Sequence, residues 1–349
     1  MNKKVLFIAD IHFGIKNSNP LYFEYFAKFF DHLFKYVDEN EINTIIQLGD
    51  LVDKRKSIDY LALFNLKKMF LDPCASRNIS LHVISGNHDC YYKSTNEINA
   101  VRLLKIPSME VYDTSIETVL IHGRWFDFFP WITEEGTQTA INRMKETKSD
   151  YAVGHFEFAN FRLHKNQIAD SGMDHTLCSK YKLCFSGHYH TISRKDSVLY
   201  CGTPFEIDWN DLDDKKGFWV FDCEQEDLEF VLTPFKLFRK IIYDDTKPFE
   251  YNETVFEQFV KLQVVKKTKP RQFESFLQNL QLQKPHEIKI IDEDIEIAVS
   301  ESLKSEVTFQ TTPAMINFVI DGMETTLSKD ILKRKISDIY AEAEEIAEL

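Results

Sequence analysis

Thr44-Ile45-Ile46-Gln47-Leu48-Gly49-Asp50-Leu51-Val52-Asp53 is the stretch on which the fold turns: a short apolar run breaks at a glycine, and two carboxylates follow. A run this short, rich in β-branched residues and closed by glycine, predicts a buried strand over Thr44–Leu48 rather than a helix. The same pattern recurs on both sides of it. Val5–Ile8 leads into Asp10-Ile11-His12, Leu81–Ile84 into Gly86-Asn87-His88-Asp89, Tyr151–Val153 into Gly154-His155, and Cys184–Phe185 into Gly187-His188-Tyr189-His190. Val119–Ile121, Val198–Tyr200 and Phe218–Phe221 read as further strands. Leu21–Val37 carries Phe23, Phe26, Phe30, Leu33, Phe34 and Val37 at helical spacing, a stripe that reads as core packing and not as a cofactor box. A second helix is predicted over Ile58–Leu71, stopped near Pro73. Strands alternating with helices early, and strands with short links later, give an α/β architecture of mixed sheets covered by helices.

Polar residues gathered at the carboxyl ends of such strands lie where α/β sheets bind ligands. Five of the eleven histidines (12, 88, 155, 188 and 190) fall there. Imidazole mixed with carboxylate suits borderline divalent ions such as manganese, iron, cobalt and zinc. In Asp10-Ile11-His12 and in His188-Tyr189-His190, an extended backbone with a period of two turns both side chains the same way. A carboxylate that bridges two cations about 3.5–4 Å apart sets up in-line attack on phosphorus. Asn87 lends an amide oxygen without adding negative charge that repels a phosphate. Each piece alone is more often structural; five in order, all at strand ends, point to a metal site.

The chain has 349 residues, is 44% apolar and contains 29 phenylalanines, enough for a full core and something smaller beside it. No apolar run approaches the roughly 20 residues of a membrane span. The apolar stretch Val5–Ala9 ends in Asp10-Ile11-His12, too short and too polar for a signal peptide, so a cytoplasmic location is expected. Six cysteines (74, 90, 178, 184, 201 and 223) show no CxxC pair and read as small buried hydrophobes. The net charge is −13, and Ile291–Leu349 holds 14 acidic against five basic residues, which leaves the first 290 residues at −4. A near-neutral body with basic clusters is compatible with DNA, the more so with divalent cations at the site. After Pro234 the pattern changes: strands over Phe238–Tyr243 and Phe259–Val265, a helix over Arg271–Leu280 and a strand over Ile288–Ile291 form a small β-β-α-β unit. Ser300–Thr312 is polar and linker-like, and Pro313–Met323 and Ser328–Glu348 read as two helices.

The ordered set D-x-H, G-D-x-x-D, G-N-H-D, G-H and G-H-x-H resembles the calcineurin-like metallophosphoesterases. That resemblance implies a four-layer α/β/β/α sandwich and two divalent cations, Mn²⁺ first, with Mg²⁺, Co²⁺, Fe²⁺ or Zn²⁺ as alternatives. It implies that Asp10, His12, Asp50 and His190 hold one cation, and that Asp50 (as a bridge), Asn87, His155 and His188 hold the other. It makes His88 the non-ligand acid at the leaving oxygen, with Asp53 orienting its imidazole. Within the superfamily, Tyr200-Cys201-Gly202-Thr203-Pro204 followed by Lys216-Gly217-Phe218-Trp219 is similar to the SbcD-type nuclease subunits of double-strand-break repair, including phage recombination versions. This narrower resemblance implies a nuclease domain over 1–234, a DNA-capping α+β domain over 235–295, and a linker with a helical segment over 296–349. The last would dock on the coiled coil of an SMC-like (SbcC-type) ATPase, in a heterotetramer built on a homodimer. The implied activity is a 3′ to 5′ exonuclease on double-stranded DNA, with endonuclease action on ends or hairpins, in a bacterial cell or phage-infected host.

Lesser signals divide between readings. Lys261, Lys266, Lys267, Lys269 and Arg271, and Lys54, Arg55 and Lys56 after the second motif, read equally as phosphate contacts or as solvated surface. Phe161–Lys165 reads first as structure, as do His32, His82, His122, His164, His175 and His286. Ile331, Ile336, Ile339, Tyr340 and Ile346 form an apolar stripe suited to a partner helix. Two other functions stay open at this stage: a phosphomonoesterase of the protein-phosphatase kind using the same metals, and a binding subunit whose catalysis has been lost.

Overall fold

The computed structural model describes residues 3–164, 167–247, 251, 254–292, 320–321 and 328–336. The chain divides into two compact units, Met1–Phe238 and Arg239–Leu349.

The first unit is built on two six-stranded sheets. One runs, in spatial order, Asp227–Leu232, Gly217–Asp222, Lys4–Ile8, Thr44–Gln47, Ser80–Ile84 and Met109–Tyr112. Its last four strands are parallel, and Gly217–Asp222 runs antiparallel to both of its neighbours. The other runs Ser193–Lys195, Val198–Tyr200, Leu183–Ser186, Tyr151–Gly154, Arg124–Phe129 and Glu117–Ile121, with a parallel centre and an antiparallel strand at each edge. The sheets meet through one apolar layer. Val5, Phe7, Ile46 and Leu48 face Phe126, Phe128, Val153 and Phe185, and Phe7 stacks on Phe185 at 3.8 Å between ring centroids. Each sheet is covered on its outer side. The helix Pro20–Glu39 starts with Pro20 in its first turn and the Asn19 side chain accepting from the Leu21 amide, and it lays Phe26, Phe29 and Phe30 against Phe13, Phe70, Phe205 and Phe218. On the far sheet, Ala140 and Met144 of the helix Thr137–Glu146 join Ala152, Cys184, Val198 and Tyr200. The layers are therefore helix, sheet, sheet, helix, the architecture implied by the sequence. Strands buried on both faces explain why the central runs are continuously apolar instead of alternating.

Some elements differ from the sequence reading. The helix of Ile58–Leu71 begins after Asp59, whose carboxylate accepts from the Ala62 amide, and it does not stop near Pro73. A π-turn over Lys67–Leu71 widens the coil, and Pro73 enters the first turn of the next segment, Asp72–Ser76, where its missing N–H costs nothing. Met109–Tyr112, Arg124–Phe129 and Thr137–Glu146 carried no sequence signal that was recognised. In the helix only Ala140 and Met144 are buried, too few to make a stripe. All six cysteines are buried and free.

The second unit has a three-stranded sheet in the order Phe238–Asp244, Phe259–Lys266, Glu287–Asp292, with the helix Pro270–Leu282 against one face. Phe273 and Leu280 of that helix close over Ile241, Tyr243, Val260, Leu262 and Val264. Residues 329–336 are helical. The rest of the helical prediction for Pro313–Glu348, apart from 320, 321 and 328, lies outside the described residues, as do Ile339, Tyr340 and Ile346. Among the described residues no helix is long and apolar enough to cross a membrane.

Candidate metal centre

Two loops at the carboxyl ends of adjacent parallel strands are zipped together before any side chain is considered. The amides of Asp10, His12 and Phe13 donate to the carbonyls of Gly49, Asp50 and Leu51 at 3.0–3.2 Å, and the Asp53 amide returns to Phe13 at 3.0 Å. This zipper holds Asp10, His12 and Asp50 at φ of 49°, 53° and 54°, a left-handed conformation costing roughly 1–2 kcal/mol per non-glycine residue. The extended backbone expected for Asp10-Ile11-His12 is thus not what forms. The two side chains converge because successive left-handed turns curl them inward, and His188 (φ 88°) is turned the same way. Gly49 and Gly86 are required by close approach: a Cβ on Gly49 would lie 2.5 Å from His155 Nδ1, and one on Gly86 would lie 2.2 Å from the Asp50 amide. Asp89, almost wholly buried, accepts from the amides of Gly86 and Val52 and clamps the loops together. The sequence reading assigned it no role, although a fully buried carboxylate between two motifs needs donors.

The side chains converge into three sets of potential ligand atoms, each within 4.8 Å of one another: Asp10, His12 and His190; His12, Asp50 and His88; Asp10, Asp50 and His155. Asp50 is common to two of them. Its Oδ2 lies 3.7 Å from His12 Nε2 and 3.4 Å from His155 Nε2, and its Oδ1 accepts from the His88 amide at 2.7 Å. Asn87 Oδ1 lies 3.0 Å from both His155 Nε2 and His188 Nδ1. His155 Nδ1 lies 2.8 Å from the Leu48 carbonyl, which can only accept. Nδ1 therefore carries a proton and Nε2 is the nitrogen that faces the site, the orientation a metal-ligating imidazole requires.

The electrostatics are those of a site built for cations. Burial pushes His12, His188 and His190 down to about 3, so each is neutral near pH 7 and free to ligate. Burial raises the Asp10 and Asp89 carboxyls, with Asp50 pushing both further up. Burial alone would lower His155, but the Asp50 carboxylate raises it to about 9. Both nitrogens of His12 are buried without a hydrogen-bond partner among the described residues. A buried imidazole left that way, beside carboxylates and an amide oxygen, fits a divalent cation. Asp10, His12 and His190 thus gather as one group of donor atoms beside Asp50, and Asn87, His155 and His188 as another.

His88 is only partly buried, edge-on to His12 with ring centroids 4.9 Å apart. Its Nδ1 lies 2.5 Å from the main-chain carbonyl of Asp53. The carbonyl, not the carboxylate, thus fixes the tautomer, and the Asp53 carboxylate lies 3.6 Å from His12 Nδ1 instead. Lys216, buried, donates to the His190 carbonyl at 2.8 Å and to Asp211 at 2.5 Å, tying the last histidine loop in place. The indole of Trp131 packs 5.3 Å from the His188 ring and 5.9 Å from His155. It was invisible to sequence reasoning because it sits in no motif.

Three of the other histidines have ordinary partners: His82 with Tyr112 and Ser80, His122 with Thr44, His175 with Asp196. The basic residues fall apart into separate groups. Lys54 donates to Asn17, and Arg55 turns inward with one nitrogen buried. Lys267 pairs with Asp292 and lies over the Phe273 ring, Lys269 donates to the Asp245 carbonyl, and Lys266 and Arg271 are exposed. Lys261 instead faces away from the helix of its unit, directly across from Lys289. Burial and the ammonium groups of Lys289 and Lys240 lower its pKa. Lys240 and Lys289 were missed by the sequence reading, since 21 and 28 residues of chain separate them from Lys261 and only strand register brings the three together.

Residues 3–191 match the family of calcineurin-like phosphoesterases. Along 345 residues the chain is 30% identical to Exonuclease subunit 1 of Enterobacteria phage T4, covering 97% of this chain and 99% of that one. It is 27% identical over 211 residues to Putative phosphoesterase 078R of Invertebrate iridescent virus 3, covering 58% of this chain and 57% of that protein. It is also 22% identical over 259 residues to the DNA double-strand break repair protein Mre11 of Nanoarchaeum equitans (strain Kin4-M), covering 62% of this chain and 66% of that protein.

Proposed function

This chain belongs to the calcineurin-like phosphoesterase family, and from that premise we propose that it is a two-metal DNA exonuclease, the nuclease subunit of a recombination or repair complex. The observation that carries the reading is the shared position of Asp50 between two sets of donor atoms, with a buried histidine, His12 or His155, on either hand. When bound, paired divalent cations supply Lewis-acid charge to the phosphoryl oxygens and activate water at neutral pH. The protein's own part is positioning and proton handling. Asn87 adds an oxygen without adding negative charge, which keeps the site open to a diester anion. His88, with Nδ1–H held by the Asp53 carbonyl, leaves Nε2 free, and as an imidazolium it gives the Nε2 proton to the departing ribose oxygen and becomes neutral. Likeness to a phage exonuclease subunit over nearly the whole of both chains, and to a double-strand-break repair protein, supports DNA as the substrate. Attack proceeds 3′ to 5′ on duplex ends, and Mn²⁺ is the working metal. The unit over Arg239–Asp292 contacts DNA through the lysines of its open sheet face. The partner is an SMC-like ATPase, engaged by the helical tail, with two nuclease copies in the complex. Tyr60, Phe64 and Leu103, exposed at 91, 60 and 82%, supply apolar surface for the contact between copies.

The test is release of nucleotides from end-labelled duplex DNA with Mn²⁺. His88→Ala is expected to lower the rate about 10²–10⁴-fold. Asp53→Asn, which leaves the main-chain carbonyl in place, is expected to cost far less. If wild type spares DNA of either labelled end but hydrolyses a nitrophenyl phosphomonoester, the nuclease reading fails and a phosphomonoesterase takes its place.

A further inference from the structure

Beside the metal centre is a second cavity of about 380 Å³ that none of the motif residues enters. Its walls are of two kinds. Trp131, Ile132 and Ile116 supply flat apolar surface; Asn96, Thr139 and Arg143 supply donors. Trp131 belongs to both places: it lines the cavity, and its ring packs on His188 and His155, which carry the donor nitrogens of the second cation set. The indole is held from its backbone, since the Trp131 amide donates to Ser85 at 2.8 Å and its carbonyl accepts from Asn96 at 2.6 Å. Ser85 immediately precedes the Gly86-Asn87-His88 motif, so the wall and the motif are one rigid piece. Arg143, partly buried on the helix Thr137–Glu146, has no hydrogen bond or ion pair among the described residues.

We propose that this cavity is a nucleotide subsite: the base next to the scissile phosphate lies against Trp131, and Arg143 takes the neighbouring backbone phosphate. The inference rests on the nuclease reading and adds to it which part of the substrate is recognised. An aromatic wall is a sequence-tolerant base platform, because every base has a π face, and an unpaired guanidinium matches a phosphate. The volume falls within the roughly 300–1,000 Å³ of small-molecule pockets. A phosphomonoester of a protein side chain has neither a base for the indole nor a second phosphate for the guanidinium. The cavity therefore favours a polynucleotide over a phosphoprotein.

The test compares kcat/KM for nucleotide release from duplex DNA with normal ends and from the same DNA with an abasic residue at the nucleotide being released or at its neighbour. Wild-type protein with Mn²⁺ is expected to prefer the base-bearing end by roughly tenfold. Trp131→Ala should bring that ratio close to one, and Trp131→Phe should restore most of it. Thr139→Phe, which fills the cavity from the exposed side of its helix and touches neither histidine, should also collapse the ratio. Arg143→Gln should raise KM on both substrates with little change in kcat. The proposal is overturned if Trp131→Ala slows both substrates by the same factor, for then the indole only supports His155 and His188. It is equally overturned if Thr139→Phe leaves the ratio intact. If wild type releases nucleotides from neither DNA and hydrolyses a nitrophenyl phosphomonoester, the nuclease reading itself has failed and the subsite goes with it.

Discussion

A buried histidine away from the metals shows how much one position contributes. His82 lies on a central strand with its ring stacked over Tyr112 and close to Phe128, Nδ1 2.8 Å from the Tyr112 hydroxyl and Nε2 3.1 Å from Ser80 Oγ. Burial pushes it down to about 4, opposed by the Glu110 carboxylate and reinforced by His122. The unfolded chain binds this proton near pH 6.5, and the folded one only near pH 4. His82 therefore contributes fully above pH 6.5 and loses that contribution as pH falls from 6.5 toward 4, at up to about 1.4 kcal/mol per pH unit. The difference in unfolding free energy between wild type and His82→Gln, measured by urea titration at pH 7, 6 and 5, is expected to shrink by about 2 kcal/mol at pH 5 relative to pH 7. A difference that stays constant across this range would show that His82 is not held neutral. That this residue is structural was legible in the sequence, from its lack of a motif; the hydroxyl that holds it was not, because Tyr112 arrives on a strand that had left no signal.

Among elements, the open face of the three-stranded sheet combines legible and illegible parts. Its strands and its helix were readable from alternation and helical spacing. The pairing of Lys261 with Lys289 follows from a parallel register that no local pattern states. Like charges set directly across a ladder are destabilising on their own, and the cost is relieved when phosphates lie between them. Replacing Lys240, Lys261 and Lys289 together by Gln is expected to weaken binding of duplex DNA at 100 mM salt at least tenfold. The slope of log K against log[salt] should fall by about 2–3, near 0.9 per lost phosphate contact. An unchanged slope in a fluorescence-anisotropy titration would place the DNA elsewhere. The sequence grouped Lys266, Lys267, Lys269 and Arg271 with Lys261, since all five lie close along the chain. In the structure Lys267 is committed to Asp292 and Phe273, and Lys269 to Asp245.

For the molecule as a whole, metal binding and folding are linked. The strained turns at Asp10, His12 and Asp50 and the buried carboxylates are repaid only when positive charge occupies the site. Adding Mn²⁺ at 100 times its Kd to metal-free protein should stabilise it by about 2.7 kcal/mol, a rise in Tm of roughly 5–10 °C that EDTA reverses. Asp50→Asn, which removes the shared carboxylate charge, should abolish most of that rise; a full rise in the variant would mean that the cations bind elsewhere. The sequence by itself determined the layered α/β class, the order of the principal strands and which residues gather at their ends, because buried parallel strands must be written as continuous apolar runs and their ends must be polar. It also marked His88 as set apart from the structural histidines. Only the tertiary structure decided how those ends meet. Left-handed turns rather than extended backbone aim Asp10 and His12, a main-chain carbonyl rather than a carboxylate holds His88, Asp89 and Lys216 clamp the loops, and Trp131 walls the site from a segment with no motif. The reason is physical: burial is written residue by residue in the chain, whereas close approach between segments tens of residues apart is set by strand register and hydrogen-bond closure, which no local pattern encodes.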